Sequence, residues 1–148
     1  MCIRDSHPEG EGAARAMTQA LRAGGLTPAD LDLVSAHGTA TPANDGAECL
    51  AIRRALGAAA DRVSVTSTKS QFGHTLGSAG AFGAASAILA LRDQVVSPTL
   101  RLEDPDPLCD LDCTPLVAKQ RVVRAALVNA FAFGGNNLSL ALGRWEGR

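Results

Sequence analysis

Apolar positions along the chain follow helical and strand periods in turn. Ala13, Ala14, Met17, Ala20, Leu21 and Gly24 fall on one helical face, while Glu11, Arg15, Thr18, Gln19 and Arg22 fall on the other. This spacing predicts an amphipathic helix closed by Gly24-Gly25. Thr27-Pro28-Ala29-Asp30 starts a short helical turn, with Thr27 as N-cap and Pro28 in the first helical position. Leu31 to Ala36 reads as a buried strand leading to His37. Thr41 to Asp45 is a loop, after which Asp45 and Glu48 fit a capping-box pair for a helix through Leu56. Arg53 and Arg54 suit the negative end of its dipole, and Gly57 ends it. The two carboxylates are read as caps rather than as catalytic acids.

A second strand is expected at Val63 to Ser67. The uncharged run from His74 to Leu91 approaches the length of a membrane span, but it is rich in Gly and Ala and begins with a histidine. A helix buried on all sides of a core is the better reading. Its glycines each weaken helicity by up to about 1 kcal/mol relative to alanine, so packing must hold it. Ser97 to Pro115 is rich in Pro and Asp and reads as a surface connection. Arg124 to Ala130 and Leu138 to Gly143 are strand candidates, joined through Phe131-Ala132-Phe133-Gly134-Gly135-Asn136-Asn137, where Gly and Asn permit a tight turn. Strand–helix–strand–helix followed by two close strands indicates a layered α/β half-domain.

Composition narrows the class. The chain has 148 residues, enough for one domain, and a formal net charge of −1. That balance offers no electrostatic footprint for nucleic acid or an anionic membrane, and the scarcity of aromatics argues against base stacking. Cys2, Cys49, Cys109 and Cys113 are irregularly spaced and follow no secretory signal. A disulfide framework is not expected, and a reducing cytoplasm is the default setting. Cys109-x-x-x-Cys113 lacks paired ligand spacing and is crowded by Pro107 and Pro115, so neither a metal nor another cofactor is expected. Met1 to Ser6 carry no targeting pattern and read as junction residues, leaving residues 7–146 as the domain. His7 reads as a loop residue.

The chemistry-bearing residues sit where strands end. His37 follows Leu33-Val34-Ser35-Ala36, and Lys69 and His74 follow Val65-Thr66-Ser67-Thr68. Open α/β sheets expose catalytic groups at such connections. Two strand-end imidazoles with an ammonium nearby suit negative charge developing on a carbonyl oxygen.

Three segments in order carry a resemblance: Ala36-His37-Gly38-Thr39-Ala40-Thr41-Pro42, Ser67-Thr68-Lys69-Ser70-Gln71-Phe72-Gly73-His74-Thr75-Leu76-Gly77-Ser78-Ala79-Gly80, and Asn129-Ala130-Phe131-Ala132-Phe133-Gly134-Gly135-Asn136-Asn137. Over most of its length the chain resembles the C-terminal half of β-ketoacyl-acyl carrier protein synthases, of the type II fatty acid and polyketide elongation kind. The resemblance implies a thiolase-like layered α/β fold, of which this is the C-terminal half, with a mixed sheet packed by helices that include the buried Gly/Ala-rich one. It implies a decarboxylative Claisen condensation. His37 and His74 would donate N–H groups to the enolate oxygen. Lys69 would support the site by orienting His74 or a water. Thr39 and Thr41 would bind the pantetheine arm, and Phe133 would gate entry with Gly134 and Gly135 giving that loop freedom. The implied partner is acyl carrier protein, with a homodimer for the complete enzyme, and no nucleic acid or membrane.

Several positions depart from the family pattern. None of the four cysteines lies in the motif of the nucleophile, which belongs to the other half, so the chain is read as a fragment that cannot form an acyl-enzyme alone. Family members usually carry glutamate where Gly83 stands, asparagine where Ser35 stands and serine where Ala130 stands, and Ala132 replaces a glycine of the gating loop. These losses leave open a non-catalytic partner resembling the chain-length factors.

Overall fold

The structure is a computed structural model, and it describes residues 9–145. Cys2, His7 and the Met1 to Ser6 segment lie outside the described residues. Helix α1 spans Glu11–Ala23, strand β1 Leu33–Ser35, helix α2 Asp45–Leu56 and strand β2 Ser64–Thr66. A short helix α3 (Lys69–Phe72) precedes the long helix α4 (Ala79–Asp93). Strands β3 (Val95–Val96) and β4 (Lys119–Gln120) make a small antiparallel pair that the residue pattern did not suggest. Strands β5 (Ala125–Ala132) and β6 (Asn136–Gly143) complete the chain as a hairpin.

The main sheet has the order β2-β1-β5-β6. β1 runs parallel to β2 and β5, and β5 runs antiparallel to β6, so the sheet is mixed. Alternation along the pleat sorts side chains to two faces. Val34, Leu127 and Phe131 join Met17, Leu21, Ile52 and Leu56 from α1 and α2 in one core cluster. Leu33, Ala126 and Val128 join Ala87, Ala90 and Leu91 of α4 in the other. Strands covered on both faces need apolar residues at consecutive positions, which is why Ala125 to Val128 reads as an unbroken apolar run.

The expectation for α4 requires correction. Gly83, Ala87, Ala90 and Leu91 are buried, whereas Phe82, Ile88 and Leu89 are exposed. Only one side of the helix meets the sheet, at β1 and β5, so burial is a stripe rather than a sheath. Gly83 sits where a Cβ would lie 3.1 Å from both the Ser35 hydroxyl and a Val128 methyl, which explains the small residue facing the sheet. Among the described residues no helix is long and apolar enough to cross a membrane.

A buried carboxylate ties the entries of β1 and β5 together. Asp32 accepts the Arg124 amide at 2.8 Å and its guanidinium at 3.1 Å and 3.2 Å. Burial alone would raise its pKa, but these bonds outweigh it and hold the carboxyl below its ordinary value. Removing the carboxylate strands the Arg124 amide, whereas the Arg124 guanidinium is largely exposed. Asp32→Ala is therefore expected to lower the unfolding free energy by about 2 kcal/mol, and Arg124→Ala by less than about 1 kcal/mol. Urea denaturation of the two variants checks the order of these losses.

Candidate active site

His37, Lys69 and His74 converge at the carboxyl ends of β1 and β2. His37 leaves β1 after Ala36, whose amide still bonds Thr66 of β2 at 2.8 Å. The chain then bends through Gly38, at a φ of 43°, and passes close to β2's exit. A Cβ on Gly38 would lie 2.6 Å from the Ser67 Cβ, so the bend needs glycine. The Ser67 hydroxyl fixes the approach by donating to the Gly38 carbonyl at 3.0 Å.

The rings of His37 and His74 stand 5.9 Å apart, edge to face. The Lys69 ammonium donates to the His37 carbonyl oxygen and lies 3.5 Å from His37 Nδ1. Lys69 thus bonds His37, whereas the resemblance implied that it orients His74 or a water. Phe131, on β5, donates its amide to His37 Nδ1 at 3.3 Å and packs its ring against the imidazole. A nitrogen that accepts an N–H carries a lone pair, so the neutral His37 ring holds its proton on Nε2. His74 follows the same rule, because the Leu76 amide donates to its Nδ1 at 3.1 Å. Both rings therefore keep Nε2 as the free position, and in the neutral form that nitrogen is a donor.

Electrostatics keep His37 neutral. Burial, the Lys69 ammonium and His74 together lower its pKa to about 4. Burial also lowers the Lys69 pKa, and the Glu48 and Asp45 carboxylates oppose that shift.

Glu48 is the residue that sequence reading placed wrongly. It does not cap α2, whose N-terminus has no side-chain cap bond. Its carboxylate is buried and accepts the His37 amide at 2.8 Å and the Gly38 amide at 2.9 Å. It also accepts Asn129 Nδ2 at 3.0 Å and Asn44 Nδ2 at 3.3 Å. Asn129 is held in turn by the Ser139 hydroxyl at 2.9 Å, across the β5–β6 pair. Burial raises the Glu48 pKa, and the four N–H donors pull it back. Asp45, the other proposed cap, accepts the Ala40 amide at 3.2 Å and braces the same loop. The signal for Glu48 was available in its spacing: α2 turns it toward the core, where an uncompensated carboxylate is costly and must have partners.

The remaining expected site residues separate into two groups. Thr39 lines a cavity of about 420 Å³ together with Gly38, Lys69 and His74, and its hydroxyl lies 3.0 Å from that of Thr41. Phe133, Gly134 and Gly135 form the tip of the β5–β6 hairpin, and they do not line that cavity. Phe133 is 67% exposed. Gly134 and Gly135 adopt φ values of 79° and 77°, which the turn demands.

A mixed sheet brings two imidazoles and an ammonium to one end of its parallel strands, within a thiolase-like layered fold. Comparison with known proteins agrees: residues 3–103 match the family described as "Beta-ketoacyl synthase, C-terminal domain", and the chain belongs to that family. It is 45% identical to a 3-oxoacyl-[acyl-carrier-protein] synthase 2 of Synechocystis sp. over 94% of this chain and 33% of that protein. The fold is similar to the ishigamide ketosynthase/chain length factor, with a TM-score of 0.90 at 37% identity over 96% of this chain and 35% of that one. It is also similar to a type II PKS ketosynthase solved with its acyl-carrier protein, with a TM-score of 0.93 at 31% identity over 97% of this chain and 35% of that one. The chain thus spans about a third of the length of the curated relative it matches.

Two outcomes test the site's construction. Since the folded state holds the His37 pKa near 4 and the unfolded chain near about 6.5, only the unfolded chain takes up this proton as pH falls between those values. Stability from this group is full above about pH 6.5 and declines down to about pH 4, by on the order of 2 kcal/mol. His37→Gln should flatten that part of the pH profile; the Glu48 contribution, of opposite sign, is common to both proteins and cancels in the comparison. Glu48→Gln presents an amide to four donors, and should lower stability by about 2–4 kcal/mol in urea unfolding at neutral pH.

Proposed function

We propose that this chain is the C-terminal part of a 3-oxoacyl-acyl carrier protein synthase that condenses malonyl-acyl carrier protein with an acyl thioester. One observation carries the reading: His37 and His74 lie with ring centroids 5.9 Å apart, each with Nδ1 occupied by a backbone amide. Their Nε2–H groups would then meet on the thioester oxygen of the malonyl group. As the C–C bond to the carboxylate breaks and CO2 leaves, the electron pair moves into the enolate and its oxygen becomes negative. Neutral donors bind that oxygen without protonating it, and a preset pair of them is worth most where water is excluded. The enolate carbon then attacks the acyl carbonyl of the partner thioester, the new C–C bond forms, and the cysteine sulfur departs as thiolate.

On this reading Lys69 acts through His37. Its ammonium opposes protonation of that ring and fixes its carbonyl, while Glu48 fixes the two amides next to it. Thr39 and Thr41 would receive the pantetheine arm, and Phe133 with Gly134 and Gly135 would form the entry loop. Acyl carrier protein is the proposed partner, a homodimer the proposed assembly of the full enzyme, and the cytoplasm its setting. None of the described cysteines is proposed as the nucleophile: Cys49 is buried, and Cys109 and Cys113 lie in the connection between β3 and β4. A chain-length-factor-like role is the second reading, favoured by Gly83, Ser35 and Ala130, which stand where family members usually carry glutamate, asparagine and serine.

In the full-length protein that contains this chain, His74→Ala is expected to lower malonyl decarboxylation by about 10²-fold or more, with a smaller effect on transfer of the acyl group to cysteine. Equal loss in both half-reactions would remove His74 from the oxyanion role. Absence of decarboxylation in the parent protein would favour the non-catalytic reading. The 148-residue chain alone, incubated with acyl-acyl carrier protein, should gain no covalent acyl group.

A further inference from the structure

The cavity beside Lys69 and His74 has a second wall made of sulfur. Cys49, Cys109 and Cys113 all line it. Cys49 comes from α2, and the other two come from the connection between β3 and β4. Cys49 is buried, and Cys109 and Cys113 are partly exposed. The sequence led to no expectation of a disulfide framework, because nothing in the spacing brings residue 49 to residue 113.

The connection is held in place by bonds on either side of the thiols. Arg53 of α2 donates to the Asp110 carboxylate at 2.8 Å and to the Asp110 carbonyl at 3.2 Å. The Asp112 carbonyl accepts the Val65 amide of β2 at 2.7 Å, and its carboxylate accepts the Ser64 hydroxyl at 2.9 Å. The segment that carries Cys113 is therefore tied to α2 through Asp110 and to β2 through Asp112. Among the described residues no group of three His, Cys, Asp or Glu side chains is arranged to hold a metal ion. Adjacent thiols without metal geometry have oxidation as their available chemistry.

We propose that Cys49 and Cys113 form a reversible redox site, closing to a disulfide in response to a peroxide. The Cys113 sulfur attacks one peroxide oxygen, the O–O bond breaks, and water leaves with Cys113 as a sulfenic acid. The Cys49 sulfur then displaces that hydroxyl: the S–S bond forms, the S–O bond breaks, and a second water leaves with the Cys49 proton. Two thiols lose two electrons in all, and hydrogen peroxide takes them up as it becomes two waters. A dithiol reductant reverses the step by exchange.

The asymmetry of the pair supports this order of events. Cys113 is partly exposed, and the hydrogen bond from Cys49 lowers its pKa. Cys49 is buried, and its hydrogen bond to Cys113 together with burial raises its pKa well beyond the ordinary thiol range. Peroxides attack the more thiolate-like, more accessible sulfur first, and the buried neighbour resolves it. Cys49 follows Glu48 directly in the chain, so the new bond would clamp α2 one residue from the carboxylate that holds the His37 and Gly38 amides. The inference concerns the thiols themselves and stands apart from the proposed condensing activity.

The test uses the 148-residue chain with Cys2→Ser, so that a thiol outside the described residues does not compete. Hydrogen peroxide is added in stoichiometric steps, the remaining thiols are alkylated under denaturing conditions, and the protein is read by intact mass and peptide mapping. The expected product has lost the mass of two hydrogens, joins the Cys49 and Cys113 peptides, leaves Cys109 alkylated, and reverts with dithiothreitol. Cys113→Ser should abolish that product; should this variant fail to fold, the peptide map of the parent chain still decides. A Cys49–Cys109 link, an intermolecular link, or oxygen addition without loss of hydrogens would each overturn the proposal.

Discussion

One buried carboxylate organises the site. Glu48 receives two consecutive backbone amides of the His37–Gly38 bend and the side-chain amides of two asparagines from different elements. A lone carboxylate in that position would be expelled toward water or neutralised. Four donors make it tolerable, and in doing so they register three separate segments against each other: α2, the exit of β1 and the middle of β5. The geometry of the histidine pair follows from this. His37 cannot shift without breaking the amide bonds below it or the Phe131 amide bond to its own Nδ1.

A division of labour follows for the charges. Lys69 is the only cation bonded to His37 among the described residues, and its ammonium is shared between a backbone carbonyl and the ring nitrogen. Burial is the larger cause opposing protonation of the imidazole, and this cation adds to it. Glu48 accepts the amide of the residue whose carbonyl Lys69 bonds, and its charge favours the ammonium form. The site can thus hold a proton donor that is weakly basic and therefore does not become a cation at neutral pH.

Periodicity made α1, α2, α4 and the β5–β6 hairpin readable, because each has a long apolar pattern or a Gly/Asn turn. His37, Lys69 and His74 were readable as a group because they end strands in the order that the family motif requires. Glu48 was misread because the same residue type at the start of a helix serves both as a cap and as a buried acceptor, and only the tertiary partners decide between them. The outward side of α4 was misread for a related reason: small residues pack closely on whichever side meets the sheet, and composition does not say how many sides do. The convergence of Cys49, Cys109 and Cys113 on one cavity was beyond sequence reading, since it depends on a connection folded back by Arg53 and Asp110.

The order of strands also dictates when this fold can assemble. β5 lies between β1 and β6, and β1 finds its partner some ninety residues downstream, at Leu33 opposite Ala126. During synthesis β1, β2 and helices α1 to α4 leave the ribosome before β5 exists. The apolar faces of α1, α2 and α4 must therefore wait for a late strand to be covered, and such non-local closure is slow compared with helix formation. Apolar surface thus stays uncovered until β5 is inserted, and substitutions that weaken β5 pairing act on the late step of assembly.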